Sequence, residues 1–585
     1  MINSLPPGVI LILGALMLPL LPGRLKLAWM LILPVLSGWH LWSLYDHSTE
    51  IAFELMGCQL QLVQIDNLSL VWVAIFHIAA ILSVLFALHV KDSVQHVSGL
   101  VYAGAAIGAV CAGDLITLFV YWELTAVSSV FLIWASRNER SYRAGMRYLI
   151  VQVGSGVILL AGILLHLRDT GSVTFNEAFW KLLPTTEGYL LGLNSPGTML
   201  IFLAFGIKAA FPLLHSWLED AYPEATVTGT VFLSAFTTKL AIYVLARGFP
   251  GTEILIWIGA IMTAFPIFFA VIENDLRRVL AYSLNNQLGF MVVGIGLANF
   301  VDHPEIAKMA LNGTAAHAFA HILYKALLFM SMGAVLYRTG TINASELGGL
   351  YKSMPWTTAF CIIGAASISA FPLFSGFVTK SMILTATADR HYMVIWLVLL
   401  FASAGVIHHS GIKIPFFAFF AHDSGKRVKE APLNMLIAMG ICAVLCILIG
   451  VCPGLLYGIL PYSTEYDAYS TSHVITQLQL LFFAALAFTV LKLAAIDPPE
   501  LASINLDVDW IYRKPLPALI ARLHRTGVAL GDAANRLVLA GLMQISTWIK
   551  RQCGIQGRFG GNWSTGTMVL CAAILLGAYL IVSYF

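Results

Sequence analysis

The chain has 585 residues, of which 59% are hydrophobic and only 11% are charged, and its formal net charge is +3. Because soluble domains average roughly 25% charged residues, this composition predicts a polytopic membrane protein. The small net charge and the absence of basic runs exclude a nucleic-acid-binding protein. The eight cysteines are scattered without a CxxC pair, and no haem-ligand pattern or nucleotide-binding glycine loop accompanies them. We therefore expect no disulfide framework, no metal site and no cofactor.

The apolar stretches predict an all-α chain. A bilayer crossing needs about 20 apolar residues, and by this measure the sequence predicts about sixteen transmembrane helices. The apolar N-terminal stretch lacks a preceding basic region, so we expect it to be the first span and not a cleaved leader. The predicted spans are 5–22, 25–44, 69–90, 97–112, 115–135, 142–167, 197–218, 227–247, 253–272, 280–298, 309–336, 358–384, 394–420, 433–452, 473–496 and 565–584.

Basic side chains follow the odd-numbered predicted spans, for example Arg137, Arg140 and Arg143 after the fifth. Arg277 and Arg278 follow the ninth, and we expect them to act in the same way, as topology anchors. The positive-inside rule makes these loops cytoplasmic. Strict alternation of the spans then predicts that both termini lie outside.

Residues 201–247 contain two apolar stretches around a polar turn, and each stretch carries a lysine near its middle, Lys208 and Lys239. A charged side chain at the bilayer centre costs roughly 2.5–3.5 kcal/mol, so it usually faces a protein interior or a wet cavity. Pro212 lies one turn after Lys208, and we expect it to break the helix there. A broken helix beside a buried charge is typical of transporters. This segment is therefore predicted to be the centre of a proton or cation path.

A short repeat indicates how the spans are organised. The tetrapeptide AFPL at 210–213 recurs at 370–373, five predicted spans later. Because an odd number of spans separates the two copies, they run in opposite directions, as in two inverted five-helix repeats that each contain a broken helix. The predicted divisions are N-terminal flanking helices at 1–95, a first repeat at 96–248, a second repeat at 249–421, C-terminal flanking helices at 422–500, and a lateral helix with a final span at 501–585.

The ionisable side chains inside the predicted spans form a series that could carry protons. Low dielectric penalises the charged form of lysine, and histidine titrates near neutral pH, so both can exchange protons when a neighbouring charge changes. A row of such groups with water between them can act as a proton path. The series contains, in chain order, Glu123, Lys208, Lys239, His317, His321, Lys325, Lys380, His408 and Lys413.

Two groups in this series have informative spacing. Glu123 is the only acid in the predicted fifth span, and a lysine partner would allow it to ionise there. His317, His321 and Lys325 follow one another at i, i+4 and i+8, on one helical face. That face could instead serve hydrogen bonding between helices. Lys413, with His408 and its neighbour in the thirteenth span, is expected to have a supporting role.

Residues 515–551 are predicted to form an amphipathic helix up to ~54 Å long. Leucines recur there at helical spacing, and arginines and lysines interrupt the apolar pattern. We expect this lateral helix to lie along the membrane surface, on its cytoplasmic side, or along a partner.

Six motifs resemble those of the antiporter-like proton-translocating subunits that respiratory complex I shares with Mrp-type cation/proton antiporters. They are YWEL at 121–124, IKAAFPLLHSWLEDAYPEAT at 207–226, TTKLAIYVLAR at 237–247, DLRRVLAYSLNNQLGF at 275–290, HAFAHILYKALLF at 317–329 and FPLFSGFVTK at 371–380. The tail motif NLDVDWIYR at 505–513 is more similar to Mrp-type or hydrogenase-linked versions, and among these the D component of the Mrp type is expected. The resemblance implies two inverted five-helix bundles, each with a broken helix.

The resemblance also implies roles for residues of the series. Glu123 matches the family's fifth-helix glutamate, and Lys208 matches its lysine partner on the seventh helix. Lys239 matches the eighth-helix lysine, and Lys325 matches the central connecting lysine, beside the two histidines. Lys380 matches the twelfth-helix lysine at the outward exit, although its position could also allow it to reach the outer surface.

We therefore expect a proton-translocating subunit of a multisubunit monovalent cation/proton antiporter in the cell inner membrane. Its expected partners are other membrane subunits, the bilayer, and protons together with Na⁺ or K⁺, and no enzymatic activity of its own is expected. Two alternatives stay open. The chain could be an antiporter-like proton-pumping subunit of a redox-driven complex, of the NADH-quinone oxidoreductase or hydrogenase type. It could also be a membrane scaffold in an inorganic-carbon uptake complex.

Overall fold

The structure, a computed structural model, describes residues 5–46, 51–55, 58–174, 193, 195–494, 496, 501, 505–561 and 563–584. The chain divides into two compact units, Met1–Asn505 and Leu506–Phe585. The first unit holds both predicted repeats and every member of the ionisable series. The second holds the predicted lateral helix and the final span.

The N-terminal part of the first unit contains three helices and a β-hairpin. These elements are α1 (Pro7–Leu16), α2 (Gly23–Asp46), β1 (Ile51–Leu55), β2 (Cys58–Val63) and α3 (Asn67–Ala87). The antiparallel hairpin has no counterpart among the predicted elements. Its second strand bonds to the turn that joins the first two helices of the first repeat, through Gly113 N to Gln61 O (2.9 Å) and Gln64 N to Cys111 O (2.8 Å).

The first repeat begins with three long helices and ends with two interrupted ones. They are α4 (Ser93–Cys111), α5 (Leu115–Trp134), α6 (Glu139–Thr170), α7 (Pro196–Lys208), α8 (Ser216–Ala221), α9 (Val227–Ala235) and α10 (Thr237–Gly248). The start of α5 is set by Asp114, whose carboxylate accepts hydrogen bonds from the backbone N–H (2.8 Å) and hydroxyl (2.6 Å) of Thr117.

The second repeat has the same order of elements. They are α11 (Ile254–Ile272), α12 (Leu276–Leu297), α13 (Pro304–Thr339), α14 (Pro355–Ile368), α15 (Ser375–Asp389) and α16 (Met393–Val406), which continues through π-helical turns to Phe420. Asp275 caps α12 as Asp114 caps α5. Each of these aspartates also forms an isolated antiparallel bridge, Asp114 with Thr174 and Asp275 with Asn343. These matching details agree with the predicted repeat.

The predicted helix break is present in both repeats, between α7 and α8 and between α14 and α15. Ala210 and Leu213 have positive φ angles of 62° and 70°, and Ala370 and Leu373 repeat this pattern with 56° and 76°. Left-handed backbone costs roughly 1–2 kcal/mol in residues with a Cβ, so surrounding contacts must hold both breaks. The two AFPL copies therefore share a backbone conformation as well as a sequence.

A third interruption differs from prediction. The sequence predicts one continuous helix over 227–247, whereas the structure bends it at Phe236, where φ is −105° and ψ is −64°. The backbone N–H of Thr237 donates to the hydroxyl of Tyr102 on α4 (2.8 Å). A side chain from another helix thus replaces the carbonyl that would have accepted this bond within the helix.

The remaining elements of the first unit are α17 (Leu433–Val451), α18 (Gly454–Tyr457) and α19 (Thr471–Leu493). The second unit consists of α20 (Asp509–Arg513), α21 (Pro515–Cys553) and α22 (Thr565–Tyr584). The predicted amphipathic helix is confirmed as α21, and none of the described side chains of α21 or α22 is buried.

Twelve helices among the described residues are long and apolar enough to cross a membrane, and the chain is a multi-pass membrane protein. Three further apolar helices are shorter, Pro7–Leu20, Pro196–Lys208 and Pro355–Ile368. The last two of these are the first halves of the broken helices. The count of sixteen spans and the five-part division of the chain stay predictions.

Candidate functional site

Most of the predicted series is buried in the first unit. Glu123 and His408 are half-buried. The side chains that are at most 2% exposed are Lys208, Lys239, His317, His321, Lys325, Lys380 and Lys413. Lysines are almost never fully buried without a compensating partner, so the contacts of each ammonium group matter.

Lys208, the last residue of α7, contacts α5. Its ammonium Nζ donates to the carbonyl oxygen of Trp122 (2.7 Å) and to the hydroxyl of Thr125 (3.0 Å). The same nitrogen lies 4.0 Å from the centre of the Trp122 ring, which adds a cation–π contact. Neither Trp122 nor Thr125 was predicted to be a site residue, although Trp122 lies in the YWEL motif beside the predicted glutamate.

Glu123 and Lys208 are close enough for their charges to interact, yet they form no direct ion pair in the described part of the chain. The Oε1 atom of Glu123 is buried and has no hydrogen-bond partner among the described residues. The lysine bonds to neutral oxygens of α5 instead. Their interaction is therefore through space, and a change in the charge of Glu123 alters the energy of a charged Lys208 without breaking a hydrogen bond.

Lys239 lies beside the interruption between α9 and α10. Its Nζ donates to the carbonyl oxygen of Ser234 (2.5 Å) and to the hydroxyl of Thr238 (3.3 Å). The bend at Phe236 exposes this carbonyl to the side chain. The local break that the sequence did not predict thus supplies the acceptor for a predicted lysine.

The other buried lysines also bond to backbone carbonyls. Lys325 donates to Leu280 O (3.1 Å), and Lys380 donates to Ile368 O (3.3 Å) at the end of α14. Lys413 donates to the last carbonyls of α11, including Val271 O (2.6 Å), where the helix dipole favours a cation. Neutral acceptors stabilise an ammonium less than a carboxylate does, so nearby charges can decide whether each lysine holds its proton.

His317 is the centre of a hydrogen-bonded group from three helices. One ring nitrogen bonds to the hydroxyl of Thr379 on α15 (3.1 Å), and the other bonds to Gln287 Oε1 on α12 (3.2 Å). Tyr324 also donates to Gln287 Oε1 (3.1 Å). Thr379, Gln287 and Tyr324 were not predicted as site residues, although all three lie within the motifs that carry the family resemblance.

His321 lies within electrostatic range of lysines from both repeats. It lies one turn from His317, with ring centroids 6.2 Å apart, and both of its ring nitrogens lack a hydrogen-bond partner among the described residues. The charges of Lys239, Lys325 and Lys380 all act on this ring. The predicted face of α13 thus carries a ring that the charges of both repeats can influence.

The adjacent histidines of α16 face different surroundings. His408 packs against the ring of Phe488 on α19, with centroids 5.1 Å apart. His409 is fully buried, bonds to the hydroxyl of Ser410 (2.9 Å), and is linked through it to Ser283 on α12 (2.7 Å). His409 lies within range of the charges of Lys325, Lys380 and Lys413. The π-helical turn shifts the register, which an α-helical period cannot anticipate.

Arg277 differs from its expected role as a topology anchor. Its side chain is buried, and it donates to the carbonyl oxygens of Pro223 and Ala225, both at 2.9 Å, and to the hydroxyl of Thr230. These acceptors belong to the loop after α8 and to α9, in the first repeat. Arg277 thus links the second repeat to the broken helix of the first.

In the described residues, no three His, Cys, Asp or Glu side chains are grouped so that they could hold a metal ion.

Comparison with known proteins places the chain in a family. The family model described as "NADH:quinone oxidoreductase/Mrp antiporter, TM" matches residues 112–407. Hydrogenase-4 component B of Escherichia coli (strain K12) is 29% identical over 375 residues, which cover 60% of this chain and 55% of that protein. The A component of the Na⁺/H⁺ antiporter of Bacillus subtilis (strain 168) is 31% identical over 408 residues, 64% of this chain and 50% of that protein. The chain spans about half the length of these curated relatives.

Two solved structures share the fold. A chain of the Mrp complex from Dietzia sp. DQ12-45-1b superposes with a TM-score of 0.71 at 22% identity, covering 99% of this chain and 62% of that one. A chain of the membrane-bound sulfane sulfur reductase, an archaeal respiratory membrane complex, superposes with a TM-score of 0.68 at 21% identity and covers 99% of both chains. The Na⁺/H⁺ antiporter relative from Bacillus subtilis is an A component, whereas the sequence led us to expect a D component. The chain belongs to the NADH:quinone oxidoreductase/Mrp antiporter transmembrane family.

Proposed function

We propose that this chain is the proton-translocating subunit of a multisubunit monovalent cation/proton antiporter. The observation that carries the proposal is the burial of His317, His321 and Lys325 on one face of α13, where the His317 ring bonds to α12 and α15. The His321 ring is fully buried, lies one turn from Lys325 and has no hydrogen bond to any described residue, which is costly unless the ring has a function. The antiporter relative described above supports the same interpretation.

The proposed path begins at Glu123 and Lys208. When Glu123 is charged, it stabilises the ammonium form of Lys208, and when this charge is lost or moves away the lysine gives up its proton towards Lys239. Each transfer leaves the donor neutral and charges the acceptor, so a single excess proton moves along the series. His321 receives the proton from the first repeat and passes it on to Lys325.

The proposed exit is at Lys380, with His317 beside it. Lys380 bonds to the last carbonyl of α14, at the second helix break, where left-handed residues interrupt the helix. Thr379 and Gln287 hold the His317 ring in one orientation at this exit. We propose that Lys413 and His409 supply charge beside this exit.

We further propose that the chain works in the cell inner membrane with other membrane subunits, with both termini outside and α21 on the cytoplasmic side. The amphipathic α21, which has no buried side chain among its described residues, is suited to contact such subunits or the membrane surface. Protons and Na⁺ or K⁺ are the proposed transported ions.

A second candidate function would use the same residues but would depend on a different energy source. The similarity to hydrogenase-4 component B supports a proton-pumping subunit of a redox-driven complex. In that case electron carriers in another chain would drive proton transfer along the series. A membrane scaffold of an inorganic-carbon uptake complex is the third interpretation, in which the series would matter for assembly only.

A pH-gradient assay on inverted membrane vesicles, made with the neighbouring genes, separates these functions. Sodium or potassium is added first, and NADH is added afterwards. We compare wild type with Glu123→Gln and Lys325→Ala, and use the exposed Glu139→Gln and Lys308→Ala as matched controls on α6 and α13.

A cation-induced collapse of the gradient that only Glu123→Gln and Lys325→Ala abolish is the expected result. A response to NADH alone, lost in the same two variants, would replace the antiporter with the redox-driven pump. Unchanged transport in both variants would reject the proposed path and leave the scaffold interpretation as the remaining one.

A further inference from the structure

Helices α5 and α6 meet at a glycine in the middle of α6. Glycine is less favourable than alanine inside a helix, so a glycine at such a site needs a structural reason. At Gly156, a Cβ atom would lie 1.4 Å from Oε1 and 2.4 Å from Cδ of Glu123. The carboxylate of Glu123 therefore occupies the space that any other side chain at position 156 would take.

We propose that Gly156 is a positioning residue for Glu123: the missing side chain at this point of α6 allows the carboxylate to take its place near Lys208. This inference rests on the proposed function, because it concerns the first step of the proposed path. Gly156 itself exchanges no proton.

The contact at Gly156 is specific to the carboxylate. The three nearest atoms to the added carbon all belong to the Glu123 side chain, and none belongs to the backbone of a neighbouring helix. At Gly162, further along α6, the added carbon would instead meet the backbone of α7, at Gly197 O (2.9 Å) and Ile201 N (2.9 Å). Alanine at position 156 would thus displace one flexible side chain, whereas alanine at position 162 would push two helices apart.

The displacement changes the electrostatics of the first step. Oε1 would have to move from 1.4 Å to at least 3.0 Å from the new carbon, since closer contacts of a Cβ essentially do not occur. Lys208 would not follow, because Trp122 O and Thr125 Oγ1 hold its ammonium. The separation of the two charges, and with it the influence of Glu123 on the lysine proton, would therefore change.

Gly154 provides a matched control on the same helix. A Cβ at position 154 meets no atom within 4 Å, so Gly154→Ala adds the same methyl group to α6 without touching Glu123. The Glu123→Asp substitution provides the second arm of the test, because its carboxylate oxygens would lie near the present Cδ, 2.4 Å from the added carbon, and so would overlap it less than Oε1 of glutamate does at 1.4 Å.

The experiment is a double-mutant cycle with the vesicle assay and its pH profile as readouts. We expect Gly156→Ala to lower the transport rate by roughly tenfold to hundredfold and to shift the pH profile, with unchanged expression. Gly154→Ala should transport like wild type. In the Glu123→Asp background, adding Gly156→Ala should cause a smaller further loss than it causes in wild type.

A second readout does not depend on transport. A hydrophobic carbodiimide modifies protonated carboxyl groups inside membranes, and mass spectrometry reports the rate of modification at Glu123. We expect Gly156→Ala to change this rate and Gly154→Ala to leave it as in wild type.

The inference would be overturned if Gly156→Ala showed wild-type transport and wild-type modification of Glu123. It would also be overturned if Gly156→Ala caused the same loss of transport in the Glu123→Asp background as in wild type, since Gly156 would then serve helix packing. If Glu123→Gln abolishes transport while Gly156→Ala does not, only this inference fails. If Glu123→Gln transports normally, the proposed path fails, and the modification rate alone still tests whether Gly156 positions the carboxylate.

Discussion

At the scale of single residues, four buried lysines of the series are held by neutral oxygens. Lys208, Lys239, Lys325 and Lys380 each donate to a backbone carbonyl. A buried carboxylate partner would make each lysine a fixed ion pair that is expensive to break. A carbonyl dipole tolerates both the ammonium and the amine, so these contacts leave the protonation of the series responsive to neighbouring charges.

The two adjacent histidines of α16 give a prediction at this scale. We expect His409→Leu to lower transport by about tenfold or more, because it removes a buried ring among the series lysines. His408→Leu should lower transport less than His409→Leu, since the His408 ring is only half-buried and packs against Phe488. The vesicle assay compares the two variants directly. Equal loss in both, or none in either, would contradict the placement of His409 beside the path.

At the scale of elements, the broken helices depend on a backbone conformation that most side chains disfavour. Leu213 and Leu373 occupy equivalent left-handed positions after Pro212 and Pro372. Both leucines are largely exposed, at 70% and 54%, so little packing is at stake in their substitution. The stability of each break should therefore respond to backbone preference more than to side-chain size.

We expect Leu213→Val to lower the free energy of unfolding by about 1 kcal/mol or more, because a β-branched side chain is particularly unfavourable at positive φ. Leu213→Gly should be neutral or stabilising, since glycine adopts this conformation without strain. Thermal unfolding of the detergent-purified protein measures both. An identical Tm for the valine and glycine variants would show that the break is not held in the left-handed form.

Arg277 couples two elements from different repeats. Arg277→Leu would leave the carbonyls of Pro223 and Ala225 without their charged donor, at a cost of about 3 kcal/mol. Arg277→Lys keeps the charge but loses the planar fork, so we expect an intermediate loss. In thermal unfolding, wild type should have the highest Tm, Arg277→Lys an intermediate Tm and Arg277→Leu the lowest. A Tm for Arg277→Leu equal to that of wild type would indicate that other contacts hold this loop.

At the scale of the whole molecule, the orientation in the membrane can be tested with native cysteines. Among the described cysteines, Cys452 and Cys553 are exposed, at the ends of α17 and α21. The predicted topology puts Cys452 outside and Cys553 in the cytoplasm. In variants that keep only one of the two, a membrane-impermeant maleimide added to intact cells should label Cys452 and spare Cys553. In inverted vesicles the result should be the opposite, and labelling of both from one side would refute the sixteen-span alternation.

Much of the architecture could be predicted because the membrane simplifies the problem. Every backbone polar group in the hydrocarbon must bond within its own helix, so an apolar stretch of sufficient length already specifies a span. The positions of Pro212 and Pro372 marked both breaks for the same local reason. The bend at Phe236 escaped prediction, because it depends on the hydroxyl of Tyr102 on a distant helix.

The sequence by itself determined the class of protein, the approximate position of the helices, the two broken helices and the ionisable series, because each of these depends on local composition. Only the tertiary structure decided that Glu123 lies against Gly156, that His409 is linked through Ser410 to α12, and that Arg277 joins the repeats. Each of these facts depends on which atoms of separate helices meet. Local patterns determine where a helix runs, but the packing of one helix against another determines which of its residues are brought together.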